Sequence, residues 1–299
     1  GGTVLGSSRG PVPPAEMADS LERLGINMLF TIGGDGTMRG SLALYEEVTR
    51  RGQPVALVSV PKTIDNDIPY IERTFGYATA VSVATQAIQA AHVEASGAPN
   101  GIGLVRLMGR HSGFIAASAT LASREANLVL VPELPFAIEG DDGVLAFLRR
   151  RLQARGHAVV VVAEGAGQYL LEGKRTRDAS GNLKLGDIGL FLGDLFKREL
   201  KDLGVTLKYI DPSYIIRAAP ANAGDAIFCG QLAEDAVHAA MAGKTGMVVG
   251  FWLNRLTHVP LAAVTTRRKL ISLDSAFWRN VIETTGQPSL LGRPGGQIR

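Results

Sequence analysis

The chain has 299 residues, enough for one large or two medium domains with a full-sized core. With 46% hydrophobic and 20% charged residues it has a globular composition, and its longest apolar runs, such as residues 158–163, stop far short of a bilayer span. A formal charge of +3 spread over scattered basic residues argues against nucleic acid as a partner, and a single cysteine, Cys229, excludes an internal disulfide framework. Cys229 lies in an apolar stretch and is expected to be buried as a small hydrophobe. Together these features suit a cytoplasmic protein without a membrane segment.

In chain order, residues 27–32 read as a strand, followed by Gly33-Gly34-Asp35-Gly36-Thr37 and a helical stretch to about residue 51. Residues 55–60 form a second strand that ends in the polar loop 61–67. Residues 75–95 read as a long helix rich in alanine and serine, with side chains small enough to pack closely on a sheet. Residues 101–108, 128–131 and 158–163 are further strands, each followed by a turn bearing glycine or proline. Continuous rather than alternating apolar runs indicate strands covered on both faces. Strand, turn and helix in repetition predict a parallel sheet with right-handed crossovers. The expected fold is therefore α/β and doubly wound, in two such units. Ligands in these folds bind at the carboxyl ends of the strands, and the most unusual residue clusters fall there.

The glycines of residues 33–37 let the backbone approach an anion, and the helix that follows offers free N–H groups. A carboxylate in that position, Asp35, suits a bridging Mg²⁺ beside phosphate; the plainer alternative is a tight turn with Asp35 capping the helix. Pro61-Lys62-Thr63-Ile64-Asp65-Asn66-Asp67 carries two carboxylates one residue apart, more than a turn requires. One could take a proton from an attacking hydroxyl, and Lys62 could neutralise a transferring phosphoryl group. A solvated acidic loop is the competing reading. Met108-Gly109-Arg110 presents a guanidinium at another strand end, suited to an anion. Glu164 ends a further strand and either binds sugar hydroxyls or caps the turn. The segment of residues 208–217 carries Lys208, Tyr214 and Arg217; Lys208 and Arg217 could clamp a second phosphate, with a surface salt bridge as the plainer reading. Histidines or cysteines at zinc-ligand spacing are absent.

The order Gly-Gly-Asp-Gly-Thr, Pro-Lys-Thr-Ile-Asp-Asn-Asp, Met-Gly-Arg, Ala-Glu-Gly and Tyr-Ile-Ile-Arg resembles the phosphofructokinase family along almost the whole chain. Gly-Gly-Asp-Gly alone is shared with NAD kinases and diacylglycerol kinases; residues 61–67 make the resemblance specific. It implies two Rossmann-like, doubly wound parallel-sheet domains with the active site between them. Residues 1–76 and 217–272 would form the donor-nucleotide domain, and residues 77–216 and 273–299 the sugar-phosphate domain. The implied reaction moves the γ-phosphoryl group of ATP, with Mg²⁺, to the 1-hydroxyl of fructose 6-phosphate.

By motif, the resemblance makes Asp65 the general base, supported by Asp67, Thr63 and Lys62. Asp35 would lie beside Mg²⁺, while Arg9, Gly34, Gly36 and Thr37 would line the donor phosphates. Met108, Gly109, Arg110, Glu164, Lys208, Tyr214 and Arg217 would hold the sugar phosphate. Pyrophosphate-dependent members carry aspartate where Gly36 stands, together with lysine at the position of Lys62. Gly36 with Lys62 therefore resembles the plant and protist ATP-dependent branch. The alternatives are a pyrophosphate-dependent transferase and a non-catalytic sugar-phosphate-binding fragment or subunit. The family further implies an allosteric homodimer or homotetramer, and a strand with a glycine-rich loop ahead of Gly1, so the N-terminal βα unit is expected to be lacking.

Overall fold

The structure, a computed structural model, describes residues 12–171, 176, 184–289 and 291. The chain opens with α1 (Pro14–Arg23), β1 (Met28–Gly33), α2 (Asp35–Arg50) and β2 (Ala56–Pro61). Next come α3 (Tyr77–Ser96), β3 (Gly101–Leu107), α4 (Phe114–Ser123), β4 (Leu128–Leu130), α5 (Val144–Arg155) and β5 (His157–Ala163). The remainder is α6 (Ile188–Glu199), β6 (Thr206–Ile210), α7 (Ser213–Ala218), α8 (Ala223–Met241), β7 (Met247–Trp252), β8 (Arg255–Pro260), α9 (Leu261–Val264) and α10 (Ala276–Thr285). These elements form two compact units, residues 12–79 with 220–269, and residues 80–171 with 184–219 and 270–289.

The first unit is built on a sheet of order β1-β2-β7-β8. Alternate residues of its inner strands feed two cores, as the period of two requires. Leu57 and Val248 pack with Ala18, Met38, Leu44 and Val264 from α1, α2 and α9. Val58 and Val249 pack with Phe228, Leu232 and Ala236 of α8 on the other face. Helices on both faces are the doubly wound arrangement predicted from the apolar runs. The buried carboxylate of Asp225 on α8 accepts hydrogen bonds from the Thr79 amide at 2.7 Å and its hydroxyl at 2.6 Å.

Three details depart from the sequence reading. β8 runs antiparallel to β7 after a turn in which Leu253 and Asn254 both have positive φ; its alternating exposure and polar residues had no signature of a buried strand. β1 is an edge strand among the described residues, so Phe30 and Ile32 remain 37% and 52% exposed. Cys229 is exposed, not buried. α8 buries a stripe through Asp225, Phe228, Leu232 and Ala236, and Cys229 stands one residue around from it.

The second unit has a wholly parallel sheet of order β4-β5-β3-β6. β5 is buried along nearly its whole length, as its valine run predicts. Ile102, Leu104, Val160 and Val162 pack with Leu148, Leu152, Leu192 and Phe196 of α5 and α6. On the opposite face α3 approaches so closely that a Cβ on Gly103 would lie 2.5 Å from the Ala91 carbonyl oxygen. The small residues of α3 and the glycines of β3 thus serve one contact.

Candidate functional site

In each unit the register of parallel strands brings the predicted clusters level. In the first, Gly33 pairs with Pro61, and the Lys62 amide donates to the Gly33 carbonyl at 2.9 Å. The turn after β1 therefore lies against the loop after β2. A Cβ on Gly34 would sit 3.3 Å from the Thr63 Cβ. Gly33 is obligatory, since a Cβ there would fall 2.1 Å from the Thr37 hydroxyl oxygen. At Gly36 a Cβ would meet nothing within 4 Å. The helix-cap alternative for Asp35 does not apply: α2 starts at Asp35, its N-cap is Gly34, and no side chain caps it. Its first N–H groups face the strand ends.

The loop after β2 is held by residues with no catalytic look in the sequence. Asn66, at φ 54°, is buried. Its side-chain carbonyl accepts from the Thr74 amide and its NH₂ donates to the Glu72 carbonyl, both at 3.1 Å. Asparagine tolerates this backbone better than most residues. The Thr63 hydroxyl accepts from the Asp65 amide at 3.2 Å. Asp65 is half-buried, Lys62 is exposed, and the Asp67 side chain is only 6% exposed. Burial pushes the Asp67 carboxyl up, the Arg268 charge pulls it back, and neighbouring Asp35 pushes it up again.

Arg268 is the unforeseen member. Its Nη2 lies 2.9 Å from the Asp35 Oδ2 and its Nη1 lies 3.8 Å from the Asp67 Oδ2. Arg39, one turn along α2, also pairs with Asp35. The next residue, Lys269, donates its amide to the Asp67 carbonyl at 2.8 Å. Its Nζ donates to the Ile71 carbonyl at 2.6 Å and the Glu72 carbonyl at 3.2 Å.

Burial pushes the Lys269 amine down to about 8 from 10.5, against the opposing pull of Asp67 and Glu72. The folded chain thus favours the neutral amine more than the unfolded chain does. The stability this preference contributes is complete above pH 10.5 and is lost as pH falls through about 8. Raising the pH from 7.5 to 10 should therefore stabilise the native protein relative to Lys269→Met by about 2 kcal/mol. Urea unfolding of both proteins across that range checks this. A difference that stays constant with pH would contradict it.

In the second unit, Leu107 pairs with Ala163, and the Glu164 amide donates to the Leu107 carbonyl at 2.8 Å. The Gly165 amide donates to the Gly109 carbonyl at 3.1 Å, and a Cβ on Gly165 would lie 2.0 Å from the Arg110 carbonyl oxygen. Met108, Gly109, Arg110 and Glu164 are thereby brought together at the carboxyl ends of β3 and β5. Arg106 orients Glu164, with Nη2 3.2 Å from its Oε2. The same guanidinium lies 2.6 Å from Asp211 and 3.8 Å from Asp187. Glu133 supports the turn from behind, accepting from the Gly113 amide at 3.0 Å and the Ile271 amide at 3.1 Å.

The remaining predicted residues lie on β6, on α7 and at the start of the chain. Lys208 sits in mid-strand on β6, 3.7 Å from Glu94 of α3. Tyr214 and Arg217 are exposed on α7, the guanidinium 5.5 Å from the ring centroid. Arg9 lies outside the described residues. A shallow cavity of about 630 Å³ occurs at the opposite end of the first sheet, lined by Asn27, Pro54, Val55 and Met241, away from these clusters.

Comparison with known proteins gives this arrangement a lineage. The phosphofructokinase family model matches residues 1–240, most of the chain. The chain belongs to the phosphofructokinase family. It is 49% identical to an ATP-dependent 6-phosphofructokinase of Borreliella burgdorferi, over 96% of this chain and 66% of that protein. It is 51% identical to an ATP-dependent 6-phosphofructokinase of Trypanosoma brucei brucei, over 95% and 59% respectively. This phosphofructokinase-family chain thus spans about two thirds or less of the length of these relatives. A pyrophosphate-dependent phosphofructokinase from Marinobacter aquaeolei superposes with a TM-score of 0.76 at 22% identity, covering 95% of this chain and 74% of that one. The Pichia pastoris phosphofructokinase gives 0.72 at 20% identity, over 95% of this chain and 30% of that one. These two structural matches bear on the fold, which is that of two parallel-sheet α/β units.

Proposed function

We propose that the protein carrying this chain is an ATP-dependent 6-phosphofructokinase, which transfers the γ-phosphoryl group of ATP to the 1-hydroxyl of fructose 6-phosphate. The observation that carries this reading is the buttressed loop of residues 62–67 lying against the helix start at residues 34–37. The segments that carry two carboxylates, a lysine and an uncapped helix N-terminus therefore meet at one strand end. A proton acceptor, a phosphoryl-neutralising cation and an anion cradle are what in-line phosphoryl transfer needs. The ATP-dependent names of the relatives support the donor.

In this reading Asp65 takes the proton from the sugar 1-hydroxyl as the bond to phosphorus forms. Asp67 supports it, Thr63 fixes the start of the loop, and Lys62 offsets charge on the transferring group. Gly34, Gly36, Thr37 and Arg9 line the donor. Asp35 offers one carboxylate, and no group of three ligating side chains occurs among the described residues. That suits Mg²⁺ held partly by the donor's own phosphate oxygens rather than in an all-protein cage. Bound there, Mg²⁺ supplies neutralisation of the phosphate charge. Met108, Gly109, Arg110 and Glu164 hold the sugar phosphate, with Lys208, Tyr214 and Arg217 contributing at its phosphate. Residues 1–76 and 217–272 then serve the donor, and residues 77–216 and 273–299 the acceptor, in a cytoplasmic homo-oligomer.

Two measurements bear on this assignment. Phosphorus NMR of the product formed by the full-length protein from ATP and fructose 6-phosphate should show a new phosphate ester at C1; phosphate released to water instead would overturn it. Arg106→Lys keeps the charge beside Glu164 but loses the fork that spans three carboxylates. It should raise KM for fructose 6-phosphate about tenfold while leaving kcat within about threefold. An unchanged KM would remove Arg106 from the orientation of Glu164.

A further inference from the structure

We propose that Arg268 is a positioning residue that acts as the resident counter-cation bridging Asp35 and Asp67, so that a divalent cation reaching Asp35 must compete with it. The inference rests on the functional reading above for the role of Asp35, and on geometry for everything else. One guanidinium presents a separate nitrogen to each carboxylate, at 2.9 and 3.8 Å. Its side chain is 28% exposed, whereas Arg39, the other partner of Asp35, is half-exposed and belongs to an ordinary one-turn pair on α2. Arg39 reaches Asp35 alone, so it cannot bridge the two carboxylates.

Arg268 is also set in place by its neighbour. The Lys269 amide bonds the Asp67 carbonyl and its amine caps the carbonyls of Ile71 and Glu72. Both strand-end segments therefore carry a fixed positive charge between their carboxylates before any ligand arrives. A metal ion approaching Asp35 alone meets this guanidinium at contact range and is repelled. A metal ion arriving as a polyphosphate complex brings negative oxygens that the displaced guanidinium can pair with. The arrangement thus disfavours the free cation and favours the complex.

The test is Mn²⁺ binding to the full-length protein, followed by electron paramagnetic resonance without nucleotide or sugar phosphate. Arg268→Met should bind Mn²⁺ about tenfold more tightly than the wild type. Arg268→Lys should restore weak binding, and Asp35→Asn combined with Arg268→Met should abolish the gain. If Arg268→Met fails to fold, Arg268→Gln carries the same expectation, because it keeps a hydrogen-bond donor without the charge. A neutral variant that binds Mn²⁺ no more tightly than the wild type overturns the proposal, as does a gain that survives loss of Asp35. Turnover is not part of this readout, so a protein without kinase activity would sink the functional reading and leave the counter-cation result standing.

Discussion

Replacing Asp65 with serine in the full-length protein should lower kcat by on the order of 10²–10⁴-fold, the usual contribution of a positioned general base. KM for fructose 6-phosphate should change little. The loop explains why the loss would fall on kcat. Asn66 and Thr74 fix the backbone on one side, and the Thr63 hydroxyl accepts from the Asp65 amide. Serine at position 65 keeps the backbone amide that bonds Thr63 and leaves the Asn66 and Thr74 bonds in place, so the expected loss is that of the proton acceptor. Steady-state kinetics across a range of sugar-phosphate concentrations separate the two parameters. Near-normal turnover would take Asp65 out of the role of base.

The second large effect concerns the donor. Gly36→Asp should reduce kcat/KM for ATP by at least about 100-fold, with a much smaller loss for any pyrophosphate-dependent turnover. Among the described residues, and apart from its own helix, a Cβ at this position meets nothing within 4 Å, so the substitution is expected to be tolerated by the fold. Its carboxylate would instead enter the space at the start of α2 where the nucleotide is proposed to lie, and it adds negative charge beside phosphate. Because the protein itself has room, the penalty appears only with the donor bound. Unchanged thermal stability together with selective loss of ATP use is the expected pattern. Equal losses with both donors would contradict the donor argument.

How much of this was legible in the sequence depends on the range of the interaction. Strands β2, β3 and β5 stood out because continuous apolar runs reflect burial on both faces, a property local in the chain; β1 showed the same run although it is an edge strand among the described residues. The motifs at their carboxyl ends were legible for the same reason. β8 was not, since Arg255, Thr257 and His258 lend an edge strand a polar, alternating pattern that reads as loop. Cys229 was misplaced because an apolar neighbourhood does not say which face of α8 a residue takes. Arg106 and Arg268 carry no motif at all. Arg106 sits inside a strand and finds Glu164, Asp187 and Asp211 only when β3, β5 and β6 align; Arg268 meets Asp35 and Asp67 across most of the chain. Long-range charge pairing of this kind leaves no local periodicity. Asn66 had a local signal, its tolerance of positive φ, but that signal points to a turn and not to a buttress for two carboxylates.

The most direct test of the central claim is to give the full-length protein fructose 6-phosphate and Mg²⁺ with either ATP or pyrophosphate, and to measure fructose 1,6-bisphosphate. Product with ATP and little or none with pyrophosphate is the predicted result. Product with pyrophosphate alone would reassign the donor, and product with neither would contradict the proposed kinase and favour a protein that binds sugar phosphate without transferring to it.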